Sequence, residues 1–418
     1  MARLFFYAGL IALVAAPQLS RCQEISEIPV MSVPVSAEAN GMGGVSGSVI
    51  SENSMATISN PAQLGIFTLH NIFNAGTYLM STPYSDGFSG YDINLTASSL
   101  NIGTSFGEEI GLPFDFSLGG GYSRLNLDEN SGYTHILDWW EHEDNYTIAI
   151  GFKWFASLGL GYTRSTLNSE IHNWGPTENI NTASSNYGVI LEIPVFDFLS
   201  LVRGEELSIS GKIKPVLDFT LASAIRNVGS DTGLMTPYGG SNLPREAMLG
   251  LNLNFKLRTI FNGRPWDVFS FIWAREAGDN LTQVNSYIDP LSGIVRYQPG
   301  YRSGLGNISF LDNLIFGRND GNVDLKKGWQ VQVAEFVYVR GGSFQGEILP
   351  GYTTFGIGLR LDGMVNLLAA CNLVDADDDV FGFLLDHVDV QYDHAEYSSA
   401  TNPVVSGTTF NTINVVFK

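Results

Sequence analysis

From about residue 67 onward the chain alternates apolar with polar or small residues, in short runs separated by turn-forming residues. The runs at 114–119 (FDFSLG), 146–154 (YTIAIGFKW), 158–163 (LGLGYT), 330–340 (QVQVAEFVYVR), 355–361 (FGIGLRL), 387–394 (HVDVQYDH) and 412–417 (TINVVF) carry it most cleanly. A period of two sends successive side chains to opposite faces of a strand. The runs at 146–154 and 158–163 lie so close together that they predict a hairpin. About fourteen such segments fit between residues 67 and 418, with no internal repeat of propeller or solenoid length.

The expected fold is therefore all-β: a transmembrane antiparallel β-barrel of about 14 strands. Aromatics near segment ends favour a barrel over a soluble sandwich. Trp154–Phe155, Trp266, Trp273 and Tyr338 are placed where an interfacial girdle is expected. Glycines alternating with apolar residues suit a crowded lumen. Phe417, next to last in a closing strand, suits the signal that barrel-assembly machinery reads. Unequal connections point the same way. Long polar loops are expected at 126–145, 166–184, 229–245, 277–328 and 396–408, the 277–328 excursion with a strand pair of its own.

Residues 23–66 have a different texture. Small residues dominate, with Gly41, Gly43, Gly44 and Gly47 followed by SENSMATISNPAQLG. A short helical turn is expected at 54–59, stopped by Asn60–Pro61. This reads as a compact N-terminal hatch or plug segment inside the barrel. Asn60 and Pro61 are expected to end a helix and pack the plug rather than to gate a channel.

Residues 1–22 read as a signal peptide. Arg3 provides a positive start, and the apolar run at 4–16 is too short to span a bilayer. Ser20 and Cys22 are small residues suited to cleavage before Gln23, and cleavage at Ala16 is the other option. Arg21 beside Cys22 speaks against a lipid-attachment site. No later run is long and apolar enough for a membrane helix, which leaves a barrel as the way to satisfy a membrane-embedded backbone. The expected location is the bacterial outer membrane, with its lipid as a partner.

Charge narrows the function. The chain holds 42 acidic and 22 basic residues, a net charge of −20, which argues against nucleic acid as a partner. Only 15% of residues are charged, against roughly 25% in soluble domains. The two cysteines, Cys22 and Cys371, form no metal or disulfide pattern. His135, Glu141, His142, Glu143 and Asp144 are ligand types for a divalent ion, but their spacing fits no metal motif. Asp375, Asp377, Asp378 and Asp379 lack the glycine and glutamate of a calcium loop, since Val380 and Asp386 stand there. No nucleophile elbow occurs. The expectation is a non-enzymatic protein with no metal and no cofactor.

The stretch at 39–64, ANGMGGVSGSVISENSMATISNPAQL, resembles the N-terminal signature of FadL-like barrels, and more closely that of the PorV/PorQ family. Gly41, Met42, Gly43, Gly44, Asn60, Pro61, Ala62 and Leu64 carry the likeness. FadL-type chains usually have glycine after NPA, where this chain has Gln63. Asn227, Gly229, Leu243, Pro244, Leu249 and Gly250 are similar to the family's mid-barrel pattern, and NPVVSGTTFNTINVVF to its closing loop and last strand. The resemblance implies a hatch at 23–66 and a barrel at 67–418. It also implies a component of protein secretion of the type IX kind. Its partners would be a secretion translocon and secreted proteins with a C-terminal sorting domain, which it binds or hands over. The alternative that it implies is a FadL-like transporter of hydrophobic small molecules. A purely structural role in an assembly is the third class.

Overall fold

The computed structural model describes residues 31, 34–82, 91–107, 111–131, 138–172, 178–204, 207–209, 212–229, 235–236, 239–240, 243–261, 263–288, 295–319, 323–346, 351–374, 379–398 and 406–418. The expected signal peptide, Cys22, His135 and Asp375, Asp377 and Asp378 lie outside them.

Fourteen strands close a barrel: β1 (Phe73–Thr82), β2 (Tyr91–Phe106), β3 (Asp115–Ser131), β4 (Asp138–Lys153), β5 (Ser157–His172), β6 (Glu178–Pro194), β7 (Lys214–Gly229), β8 (Glu246–Phe261), β9 (Arg264–Asn280), β10 (Asp324–Val333), β11 (Val337–Gln345), β12 (Tyr352–Arg360), β13 (Val388–Ser398) and β14 (Thr409–Phe417). Every strand is antiparallel to the next, and β14 returns to β1 with Phe73 opposite Phe417. Where the fourteen strands run side by side, closure pairs the backbone groups of the wall on both sides of every strand. The 146–154 and 158–163 runs do form a hairpin, with Lys153 opposite Ser157.

The two ends differ. At the turn end, β4–β5, β8–β9 and β10–β11 are joined by tight turns. β6–β7 and β12–β13 carry helices there: α4 (Val195–Arg203), α5 (Leu361–Ala370) and α6 (Asp379–His387). The loop end holds the longer excursions. That at 281–323 has its own hairpin, Thr282–Ile288 with Val295–Tyr301, as expected.

The wall's outer face is apolar in a band. Ile148 and Ile150 on β4, Leu118 on β3, Leu160 on β5 and Ile357 on β12 are all exposed outward. Toward the loop end the band stops at aromatic rings: Tyr122, Tyr146, Tyr162 and Tyr187, in contacting pairs Tyr122–Tyr146 and Tyr162–Tyr187. Charged groups come two residues further on, with Arg124 ion-paired to Asp144. This is the profile of a wall that meets lipid and then headgroups. Among the described residues no helix is long and apolar enough to cross a membrane.

Two expectations are corrected. The stretches 126–145 and 166–184 are largely strand, because β3 to β6 run on past the tyrosines. Beyond the band polarity inverts: Leu125 and Leu127 turn inward while Arg124 and Asn126 turn outward, so the pattern no longer reads as a membrane strand. Tyr338 and Trp266 are not girdle residues. Tyr338 is buried, and the Trp266 indole donates to the Ala334 carbonyl. Of the possible ligand types at 135–144, Glu141 and Glu143 are buried while His142 and Asp144 pair on the other face of β4. Strand parity separates the four, and they do not converge on one point.

Candidate functional site: the hatch and its chamber

Residues 34–72 fill the lumen with three short helices: α1 (Ala37–Gly41), α2 (Ala56–Ser59) and α3 (Ala62–Phe67). Asn60 is extended and ends α2, and Pro61 opens α3, as the sequence suggests. A segment this irregular has many unpaired backbone groups, which need partners when buried. Wall side chains supply them. Asn74, Asn101 and Ser99 donate to carbonyls of Glu52 and Ser54 at 2.6–3.0 Å, and Asn414 accepts from the Ser54 N–H at 3.0 Å.

The close fit depends on missing side chains. Gly188 of β6 faces Asn60, Gly161 faces Pro61, Gly250 faces Ser48, Gly328 faces Met42, and Gly356 faces Gly41. Gly65 of α3 lies directly on β4 at Ile150 and Gly151. A β-carbon would overlap its neighbour at each of these except Gly356, where it would press on the Gly41 backbone at 3.0 Å. The lumen-facing glycines therefore trace where hatch backbone touches wall.

Charge does the anchoring. Glu276 of β9 is 1% exposed, and its carboxylate accepts from the N–H groups of Ser46, Gly47 and Ser48, at 2.7 Å for the last two. Small residues at 46–48 let three amides converge into an anion nest. Arg340 of β11, 2% exposed, pairs with Asp393 of β13 at 2.5 Å and with Glu38 of α1 at 3.6 Å, and donates to Gln330 at 2.6 Å. Arg360 reaches Glu52 at 2.6 Å. None of these wall residues stands out locally in the sequence. The usable signal was a charge at inward parity, as in Arg340 at the end of FVYVR.

The motif residues all reach the lumen, at two separate places. Gly41 and Gly43 share Thr354 of β12, which donates to the Gly41 carbonyl and accepts from the Gly43 N–H, each at 2.9 Å. Met42 is fully buried with Val45, Val49, Ile272 and Ala274, and Gly44 lies beside Lys326. Asn60 accepts from the Ala62 N–H and donates to the Gly47 carbonyl, each at 3.1 Å. Leu64 packs with Phe67, Ala149 and Val416. Gln63 donates to the Val49 carbonyl at 2.7 Å and so ties α3 to the preceding loop. Burying a side chain such as Met42 or Leu64 stabilises by about 1.5–3 kcal/mol each.

On the loop side of the hatch the lumen is apolar. Met31, Met55, Tyr78, Phe344, Tyr397 and Phe410 belong to one buried cluster. On the turn side a cavity of about 950 Å³ opens between hatch and turns. Its lining has nine carboxylates against six Lys and Arg side chains, so it is polar with an acidic excess. Much of this charge is paired at close range, as in Lys256–Asp218, Arg258–Asp267 and Lys418–Asp362. At its mouth, outside the membrane-spanning strands, Glu335 occupies a turn. Burial, with Asp267 and Asp362 adding to it, lifts its carboxyl to about 7. Burial, reinforced by Lys153, lowers His70 below its usual value.

The fold favours neutral Glu335, so its ionisation opposes folding. That cost is absent below about pH 4.5, grows up to pH 7 and is full above it. Glu335→Gln is expected to stabilise the barrel at pH 8 by about 1–3 kcal/mol and to make no difference at pH 4. The midpoint of heat-modifiable gel migration in detergent reads this. An equal offset at both pH values would reject the ionisation account.

No protein-family model matches the chain, and no curated protein matches it in sequence. Solved structures do match. The toluene transporter TodX of Pseudomonas putida is 13% identical, covering 91% of this chain and 96% of its own, with a TM-score of 0.39. A Pseudomonas aeruginosa FadL homologue is 9% identical over 92% and 97%, also at 0.39. The β domain of the Bordetella autotransporter BrkA is 7% identical over 83% and 99%, again at 0.39. At such identities and scores the likeness is one of barrel form alone.

Proposed function

We propose that this is a plugged outer-membrane barrel that works without chemistry, as a docking component of protein export in the manner of PorV/PorQ proteins. Its turn end faces the periplasm and its loop end the outside, as barrels with short turns and long loops are oriented. Secreted cargo would meet the loops and rim, not the lumen. The observation that carries this reading is the hatch. It is wedged against the wall and held by buried charge at Glu276 and Arg340, inside a closed wall. A conduit for small molecules calls for an apolar passage. The open chamber is polar and charged, and the apolar layer above it is filled by side chains.

That apolar layer favours the second reading, FadL-like uptake of a hydrophobic small molecule, with Met31 and Met55 as yielding side chains. One experiment separates the two. A tagged copy is purified from mild-detergent outer membranes, and the co-purifying proteins and lipids are identified by mass spectrometry. Enrichment of a large translocon barrel, or of secreted proteins sharing a C-terminal domain, is the expected result. Recovery of the barrel alone with bound lipid or fatty acid would overturn the docking reading in favour of uptake.

A further inference from the structure

Residues 301–319 do not stand away from the barrel. They fold back against its outer wall. Leu314, inside a π-helix (Phe310–Ile315), is fully buried with Leu249 and Leu251 of β8, Ala277 of β9 and Val323, and Ile308 and Phe310 pack beside it. Polar groups fix the seat. Arg275 of β9 donates to the carbonyls of Leu314 and Ile315 at 2.7 and 3.0 Å, and Arg302 donates to Asp279 at 2.6 Å. Gly317 has a φ of +66°, and a β-carbon there would meet the Arg275 guanidinium.

The level of this strap is set by the wall's own pattern. On β3 and β5 the outward order toward the loop end is apolar, tyrosine, arginine: Tyr122 then Arg124, Tyr162 then Arg164. β9 repeats it with Trp273 and Arg275. β8 alone among these keeps leucine, with Leu253 exposed but Leu251 and Leu249 each 3% exposed under the strap. There the strap has replaced the wall at the headgroup boundary. Its outer face carries Leu311, Ile315 and Phe316, exposed by 54%, 48% and 60%. Phe316 is trailed by Arg318, whose guanidinium lies 5.1 Å from the ring, so the aromatic-then-cation order recurs on the strap itself.

We propose that this outer face is a lipid-binding surface in the loop-side leaflet, with Leu311, Ile315 and Phe316 among acyl chains and Arg318 at the headgroups. Continuity with the apolar band, through Leu253 and Phe271, names the occupant: a surface joined to a lipid-facing wall meets the same solvent. The outward Arg275 and Asp279 are thereby shielded from hydrocarbon, where a lone charge is costly. This proposal does not depend on what the barrel docks or carries.

The test uses the full chain with Cys22 and Cys371 changed to serine. Phe316→Cys and, separately, Asp312→Cys, whose carboxylate lies 3.8 Å from the Arg318 guanidinium and so at the headgroup level, are labelled with an environment-sensitive nitrobenzoxadiazole probe. The protein is reconstituted in phosphatidylethanolamine–phosphatidylglycerol vesicles. Doxyl lipids spin-labelled along the acyl chain are expected to quench the probe at 316 severalfold more than at 312, with iodide showing the reverse. Adding Gly317→Val is expected to lift the strap and abolish lipid quenching at 316 while the barrel still shows heat-modifiable migration. Iodide quenching without lipid quenching at 316 overturns the proposal. Protection from both quenchers overturns it as well, since a protein would then cover the face.

Discussion

Replacing Arg340 by alanine is expected to unseat the hatch and open the lumen. The guanidinium is buried between Asp393, Glu38 and Gln330. Without it two carboxylates remain buried near each other with no charge to balance them. Removing one partner of a buried ion network costs about 3–5 kcal/mol, whereas removing the whole network is often nearly neutral. The wild type should give electrically quiet planar bilayers, Arg340→Ala stepwise conductance. The triple variant Arg340→Met, Glu38→Gln, Asp393→Asn should close the barrel again. Conductance unchanged from wild type in Arg340→Ala would mean that this network does not hold the hatch. Persistent leak in the triple variant would place the effect in lost shape instead of stranded charge.

The second large effect runs against ordinary propensity. Alanine in a helix is favoured over glycine by about 1 kcal/mol. Gly65→Ala in α3 should nonetheless destabilise by about 1–3 kcal/mol or more, because the new methyl overlaps the Ile150 carbonyl of β4 and neither backbone can move aside. Gly120→Ala on β3 is the control. Its β-carbon would enter open space on the outer wall, so the midpoint of heat-modifiable migration should stay near that of wild type. Equal midpoints for the two variants would show that hatch and wall are not in backbone contact at β4.

The barrel was legible because alternation is a local signal. A band of lipid on one side forces apolar residues to one parity, and runs such as 146–154 display it directly. The hatch was legible through its small residues and the Asn60–Pro61 break. The reach of β3 to β6 was not, because above the tyrosines water replaces lipid outside, and 125–128 then reads as an ordinary polar stretch with two leucines. Tyr338 was misplaced for a related reason: aromaticity suggested an interface, but its parity turns it inward beside Arg340 and Arg360. The anchors were hidden by distance. Glu276 meets Ser46–Ser48 across more than two hundred residues, and no short window contains both partners. Gln63 was legible only as a departure from the FadL pattern. The structure gives it a task, bridging α3 to the Val49 carbonyl.

The unequal strands give the barrel a slanted lip. β3 continues for nine residues past Tyr122 and β5 for ten past Tyr162, while β10 has five beyond Trp329 and β13 six beyond Tyr392. At about 3.3 Å per residue and an ordinary strand tilt, the difference raises one side by on the order of 10 Å. Seen from outside, β3 to β6 form a parapet and β10 to β14 a low sill. As far as the strands reach, the rim thus has a high side and a low side, an asymmetry set by strand length and independent of any loop.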